Sequence, residues 1–400
     1  MGAAFASGEP MFDFDEPIDR RGTHSLKWDM MQPLLGVPPE DGLAMWVADM
    51  DLRPPPSVAE ALAAEIAQGV YGYYGDDAAH RAAIIGWMAR RHGWEVDPAT
   101  ILTTHGLVQA VGLCLQAFTG PGDGVILFTP VYHAFARVIR ANGRRVVESP
   151  LLLAGGRFEM DLDGLAANLR GDERMLVFCS PHNPGGRIWS PDEQRAVAAL
   201  CAERDILLVC DEIHHDLTMP GRVHVPMPVA APESVDRLVM LTATTKTFNI
   251  AGALTGNAIV ADAGLRERLA GALAAAGVSP NRLGALMATA AYEGGDAWVD
   301  ALRLYLAGNA RLFDDGIAAI PGVSSMALDA TYLAWVDFAG AGMTPAEFGA
   351  RVREGARIAA SPGAQFGTGG ESCLRFNIGA RRALVREAVT RLQAAFADLQ

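Results

Sequence analysis

One lysine stands where a reactive amine would be useful. The stretch Leu238-Val-Met-Leu-Thr-Ala-Thr-Thr-Lys246-Thr-Phe-Asn-Ile-Ala-Gly252 is an apolar run that breaks into small polar residues and delivers Lys246. Only two of the 33 Lys and Arg residues are lysines, so positive charge rests almost wholly on arginine. An amine is the one basic group here that can become a neutral nucleophile. Taken alone, Lys246 reads equally well as an ordinary loop cation.

Three other stretches place polar residues just beyond short apolar runs. Ser180-Pro-His-Asn183-Pro-Gly-Gly186 follows Cys179, Asp211-Glu-Ile-His214-His-Asp216 follows Cys210, and Thr104-His-Gly106-Leu-Val108 follows Ile101 to Thr103. Each has a bland reading. Asn-Pro-Gly-Gly is common turn composition, Asp211 suits a helix N-cap, His214 and His215 suit a surface, and Gly106 suits a simple helix start. Jointly they ask for more. An aspartate past a buried strand suits a partner that keeps a proton on a ring nitrogen, a lysine suits a Schiff base, and a helix N-terminus with free amides suits a phosphate. Pyridoxal 5′-phosphate carries all three features.

The elements that must position these residues follow from hydrophobic patterning. Apolar runs at 101–103, 124–128, 145–148, 175–179, 206–210, 238–241 and 257–260 read as strands. Helical patterns fall over 106–117, 132–142 and 191–203. Strands apolar on both faces, alternating with helices, indicate a mostly parallel sheet covered on two sides, an α/β class. Ligands in such a sheet bind beyond the carboxyl ends of the strands, which would bring the polar stretches to one rim. Ahead of the sheet, residues 1–54 form a Pro- and Gly-rich arm, followed by a helix from Ser57, as its cap, through Ala67. One long helical tract is expected over 283–319. Strands at 332–338, 357–359 and 373–377 and a closing helix to Gln400 then indicate a smaller α+β domain. The expected division is an arm over 1–54 packed on the small domain, a large domain over 55–290 and a small domain over 291–400.

Composition excludes several functions. A net charge of −13 with no polybasic block argues against nucleic-acid binding. The five cysteines lack metal-ligand spacing and read as buried hydrophobes of a reducing compartment, and no metal is expected. Residues 1–10 lack the pattern of a signal peptide, and no apolar run reaches the roughly 18 residues of a membrane span. The expected location is the cytoplasm, without membrane association.

At this point the chain resembles the aspartate-aminotransferase-like superfamily of pyridoxal-phosphate enzymes over nearly its whole length. Within it, the chain is most similar to the MalY/PatB-type cystathionine β-lyase (C-S lyase) group. The likeness rests on Gly22-Thr-His-Ser-Leu-Lys-Trp-Asp29, Trp46-Val-Ala-Asp-Met-Asp51, Thr129-Pro-Val-Tyr132, Ser180 to Arg187, Asp211 to Asp216, Lys246 to Gly252 and Leu374-Arg-Phe-Asn-Ile-Gly379. The resemblance implies that Lys246 carries the Schiff base, Asp211 pairs with the pyridinium nitrogen and Asn183 donates to the phenolic oxygen. It implies that Tyr132 stacks on the ring, that Gly106, Leu107 and Val108 offer amides to the phosphate, and that the Thr245 hydroxyl joins them. Tyr73 would reach the phosphate of a partner subunit, implying a homodimer with shared sites. Arg375 would clamp the substrate carboxylate and Ala48 would touch the substrate.

Two positions depart from the broad aminotransferase pattern. His214 stands where many members have a tyrosine contacting the phenolic oxygen, and Leu254 stands where many have a phosphate-binding arginine. Both lean toward the lyase group, which implies β-elimination of a thiol from cystathionine or another cysteine S-conjugate to give pyruvate and ammonia. An aminotransferase is the alternative, since the two reactions share their early steps. A regulatory domain of the same fold would need an N-terminal DNA-binding module, and the Pro-rich, non-basic start does not resemble one.

Overall fold

The computed structural model describes residues 12–399. Residues 1–11, the start of the expected arm, and Gln400, the expected end of the last helix, lie outside them.

A seven-stranded sheet carries the larger part of the chain. Its strand order is Ile101–Thr104, Gly256–Ile259, Leu238–Thr242, Leu207–Asp211, Glu173–Cys179, Gly124–Thr129, Arg145–Pro150. The last five are mutually parallel. Gly256–Ile259 runs antiparallel to both of its neighbours, so it reverses the sheet where the sequence reading only extended it. Hydrophobic periodicity reports which face a residue takes and says nothing of strand direction.

Alternation along the strands feeds two cores. Val125, Leu127, Met175, Val177, Val209, Val239 and Leu241 pack on one face, with Leu107, Val111 and Leu115 of the helix Leu107–Phe118. Ile126, Phe128, Leu176, Phe178, Leu208, Cys210 and Met240 pack on the other, with Trp87, Val197, Cys201 and Tyr292. Burial on both faces explains the unbroken apolar runs. All five cysteines are buried and free.

The second sheet has the order Ser324–Ser325, Leu333–Asp337, Cys373–Asn377, Ser361–Pro362, all antiparallel. The expected strand at 357–359 does not join it. Arg357 takes a φ of +56°, and Ile358–Ala359 pairs in parallel with Leu43–Ala44 of the N-terminal segment.

Two helices differ from expectation. The first begins at Pro56 rather than after a Ser57 cap, because the fixed φ of a proline suits the first helical position and its missing N–H costs nothing there. The tract over 283–319 is two helices, Arg282–Gly294 and Asp296–Ala318. They part at Gly295, where a Cβ would stand 2.3 Å from the Ala291 carbonyl oxygen and from the Phe248 ring. The closing helix ends at Ala395. No helix among the described residues is long and apolar enough to cross a membrane.

Candidate active site

The pairing register sets the rim. Cys179 lies opposite Asp211, and Asp211 opposite Leu241, so three successive parallel strands end level with one another. Just past those ends is a cavity of about 190 Å³. Gly106, Leu107, Val108, Tyr132, Asn183, Asp211, His214, Thr245, Lys246 and Ala48 all line it, as does Leu254. Arg375 lies against it, donating to Asn183 Oδ1 at 3.0 Å. Tyr73 does not take part: it is 99% exposed on the segment between two helices.

Local chemistry explains the shape of each corner. Gly106 caps the helix Leu107–Phe118 at a φ of +91°, a conformation open to glycine, and the first-turn amides of that helix have no intrahelical acceptor. Gly256 on the neighbouring strand leaves room for the turn, since a Cβ there would lie 2.6 Å from Leu107 Cδ2. Tyr132 sits just outside the helix His133–Ala141 as its N-cap, which turns the chain toward the cavity. In Asn183-Pro-Gly-Gly186, the Gly186 carbonyl accepts from the amides of Asp329 and Ala330, so the turn also docks the second sheet's connection.

Lys246 is half-buried on a single turn of helix, Thr244–Thr247, and its Nζ donates to the Ala48 carbonyl at 2.5 Å. Burial pulls its amine down to about 8, with Asp49 and Asp211 pulling the other way and Arg375 adding to the depression. Asp211 is buried, and among the described residues its hydrogen-bonding partner is the Ile213 amide at 3.0 Å. Burial pushes its carboxyl up to about 7. A carboxylate so placed wants a cation, and a protonated ring nitrogen would supply it. Burial and the Lys246 ammonium press His214 down to about 3, leaving a neutral ring whose Nδ1 has no partner. The orphaned His214 nitrogen, the Asp211 carboxyl without an ion-pair partner among the described residues and the helix amides make a donor and acceptor set that fits pyridoxal 5′-phosphate.

Several residues that shape the site carry no obvious signature. The segment Trp46–Leu52 is gripped from two sides. Asn249, three residues after Lys246, accepts from the Met50 amide and donates to the carbonyls of Met50 and Leu52. Asn377, two residues after Arg375, donates to the carbonyls of Val47 and Asp49. Asp51 is also held from below by Lys27 Nζ at 2.8 Å, Arg20 at 2.8 Å and Trp28 Nε1 at 2.9 Å. The scarcity that marks Lys246 marks Lys27 too, the other of the two lysines, and it is fully buried. Tyr332 donates its hydroxyl to the Ala48 carbonyl at 3.0 Å, which nothing in its neighbourhood in sequence foretells. Arg375 is buried, its charge pressed down to about 10 by desolvation, and it also donates to the Trp46 carbonyl and to Ser361.

The chain is similar to known proteins over almost its full length. The pattern of the family described as Aminotransferase class I and II matches residues 43–392. Cystathionine beta-lyase PatB of Bacillus subtilis (strain 168) is 37% identical over 391 residues, which cover 96% of this chain and 99% of PatB. Protein MalY of Escherichia coli (strain K12) is 30% identical over 388 residues, covering 96% and 98%. The crystal structure of cystalysin from Treponema denticola, which contains a pyridoxal 5′-phosphate cofactor, superposes with a TM-score of 0.93 at 33% identity, over 98% of this chain and 100% of cystalysin. With the lysine, aspartate and asparagine gathered at one sheet rim, this chain belongs to the class I and II aminotransferase family.

Proposed function

We propose that the protein is a pyridoxal-phosphate-dependent carbon–sulfur β-lyase, which converts cystathionine or a related cysteine S-conjugate and water into a thiol, pyruvate and ammonia. The observation that carries this reading is the convergence of Lys246 and Asp211 in one cavity with the Arg375 guanidinium beside it, in a chain that matches cystathionine beta-lyase PatB from end to end.

Lys246 would hold the cofactor covalently, with Asp211 at its ring nitrogen, Asn183 and His214 near its phenolic edge, Tyr132 against its face, and Gly106, Leu107, Val108 and Thr245 around its phosphate. When bound, the cofactor supplies an aldehyde that takes up amines and a ring that accommodates the electron pair left behind by the α-proton. Asp211, ionised once it faces a cation, keeps a proton on that nitrogen. Arg375 receives the substrate carboxylate through its planar fork, with Ala48 beside the substrate. Lys246, once its amine is free and neutral because burial depresses its basicity, would take the α-proton. The β-carbon–sulfur bond then breaks with both electrons leaving on sulfur.

The assembly we propose is a homodimer with shared sites. Tyr73 is accompanied by Ile66, Val70 and Tyr71, all exposed, an apolar strip of the kind that marks an interface. A cytoplasmic setting is in keeping with five free cysteines.

The decisive assay incubates purified holoenzyme with cystathionine and, separately, with an amino acid that lacks a β-leaving group. Pyruvate from the first, with no build-up of pyridoxamine phosphate from the second, is the expected outcome. The reverse pattern would make the protein an aminotransferase and sink the proposal.

A further inference from the structure

Behind the loop that carries Asp211, away from the cofactor cavity, a second group of polar side chains is gathered around Asp216. Its carboxylate is buried. Oδ1 accepts from Trp87 Nε1 at 2.9 Å and meets His92 Nε2 at 2.8 Å, while Oδ2 accepts from the Thr247 hydroxyl at 2.7 Å and stands 3.3 Å from His215 Nε2. The His92 and His215 rings lie face to face, 4.3 Å between centres and 35° apart. One ligand atom from each of His92, His215 and Asp216 falls within 4.8 Å of the other two.

The histidine at 215 is the anomaly. It is 1% exposed, yet its Nδ1 has no hydrogen-bond partner among the described residues, and its Nε2 faces Asp216 Oδ2 at 3.3 Å without the geometry of a hydrogen bond. A buried, unpaired polar nitrogen costs on the order of 1–3 kcal/mol, and such groups in a folded protein call for an explanation. Nothing in the proposed chemistry of the neighbouring cavity uses it. Beside it opens a cavity of about 130 Å³, lined by His92, His215, Asp216, His224 and the arginines 91, 222 and 303.

We propose that His92, His215 and Asp216 form a binding site for a divalent transition-metal ion of the zinc type, with the fourth position open to the adjoining cavity. Two imidazoles and one carboxylate are a regular zinc ligand set, and a tetrahedral ion with bonds of about 2.0–2.1 Å keeps its ligands a little over 3 Å apart, against 2.8 and 3.3 Å from Asp216 to the two histidines and at most 4.8 Å between any two ligand atoms here. Small movements of the two rings suffice. Carboxylates offset part of the charge of the arginines around the cavity: Arg91 pairs with Asp300 at 2.6 Å, Arg303 faces the same carboxylate, and Arg222 pairs at 3.1 Å with Asp329, which it shares with Arg157. This site stands apart from the lyase reading and does not depend on it.

The test uses holoenzyme treated with a chelator that is then removed, titrated with Co²⁺ and followed by its visible d–d absorption. One Co²⁺ per chain is expected, displaced by one equivalent of Zn²⁺, with affinity reduced roughly tenfold or more in His215→Gln and in His92→Gln. Absence of the absorption, or its survival in both variants, overturns the site. Variant folding is checked by circular dichroism. X-ray absorption on the zinc-loaded wild-type protein gives an answer independent of the variants. Two imidazoles with oxygen in the first shell support the site, whereas sulfur ligands or a shell without imidazole overturn it.

Discussion

Lys246, just past a strand of the first sheet, and Tyr332, just ahead of a strand of the second, donate to the same oxygen. The amine lies 2.5 Å and the phenol 3.0 Å from the carbonyl of Ala48. Because a carbonyl shared between two donors gives less to each, Tyr332 limits how well Ala48 stabilises the charged form of Lys246. Removing the phenol in Tyr332→Phe should raise the lysine's basicity from about 8 toward its ordinary value and cost about 1 kcal/mol of stability. The neutral amine that captures an aldehyde would then appear only at higher pH. The measurement is the pH dependence of the rate at which apoprotein takes up pyridoxal phosphate. A midpoint that stays put or moves toward acid rules out this role for Tyr332.

The apoprotein should be destabilised as pH rises. Asp211 stays protonated in the fold up to about pH 7 but only up to about 3.8 when unfolded. Between those values the folded state holds the extra proton, so stability falls through that window, by on the order of 4 kcal/mol in total. The carboxylate left above pH 7 is buried with no cation in ion-pair contact among the described residues, and the Lys246 ammonium that offsets it is itself lost above about pH 8. Asp211→Asn removes the slope, so the variant apoprotein should be clearly more stable than wild type at pH 8 and close to it at pH 4, while the holoenzyme loses activity. Denaturant unfolding of both apoproteins across this range is the check. Parallel curves would show that Asp211 is not strained in the empty site.

Arg375→Lys keeps the charge and loses the fork. Arg375 is locked by Asn183, the Trp46 carbonyl and Ser361, which orients the guanidinium. Loss of one charge-assisted contact of about 1.5–3 kcal/mol corresponds to a KM roughly ten- to a hundredfold higher, with kcat changed less. Steady-state kinetics with cystathionine distinguish this from a purely structural role, which would lower both the amount of folded enzyme and kcat at unchanged KM.

If two chains share each site, inactive variants should rescue one another. Lys246→Ala and Tyr73→Ala homodimers, mixed and allowed to exchange subunits, would form heterodimers in which one site carries both lesions and the other neither. Activity should rise from near zero on mixing and track the fraction of heterodimer seen by native mass spectrometry. Heterodimers that remain inactive would place Tyr73 in its own chain's site or in none.

Asp51→Asn removes the nearer counter-charge of Lys27, which is fully buried, leaving Asp49 at 4.0 Å, and one of the two carboxylates that Arg20 pairs with. Breaking a buried ion pair by removing one partner costs on the order of 3–5 kcal/mol, here reduced by the Asp49 carboxylate that remains, and the segment carrying Ala48 loses one of its anchors. Thermal unfolding of the holoenzyme should register this as a large drop, whereas Asp51→Asn at near wild-type stability would mean that Asn249 and Asn377 alone hold the segment.

Much of the site can be read along the chain because it depends on local order. A buried parallel strand must be an apolar run, its carboxyl end must open onto a loop, and whatever polar residues the loop carries are delivered to the same rim. That logic brings Asn183, Asp211 and Lys246 together before any coordinates exist. Other features escape it. The reversal of Gly256–Ile259, the pairing of Ile358–Ala359 with Leu43–Ala44 and the break at Gly295 depend on which neighbour each element meets, and apolar patterning does not name the neighbour.

By itself, then, the order of residues determined the α/β class, the rim and the reactive lysine on it, through the periodicities of 2 and 3.6 that assign faces to strands and helices. Only the tertiary structure decided that Tyr332 and Lys246 share one oxygen, that Lys27 is sealed beneath Asp51, and that His92 and His215 meet over Asp216. Those contacts join residues far apart in sequence, and their charges and hydrogen bonds are set by burial, which exists only once the chain has packed.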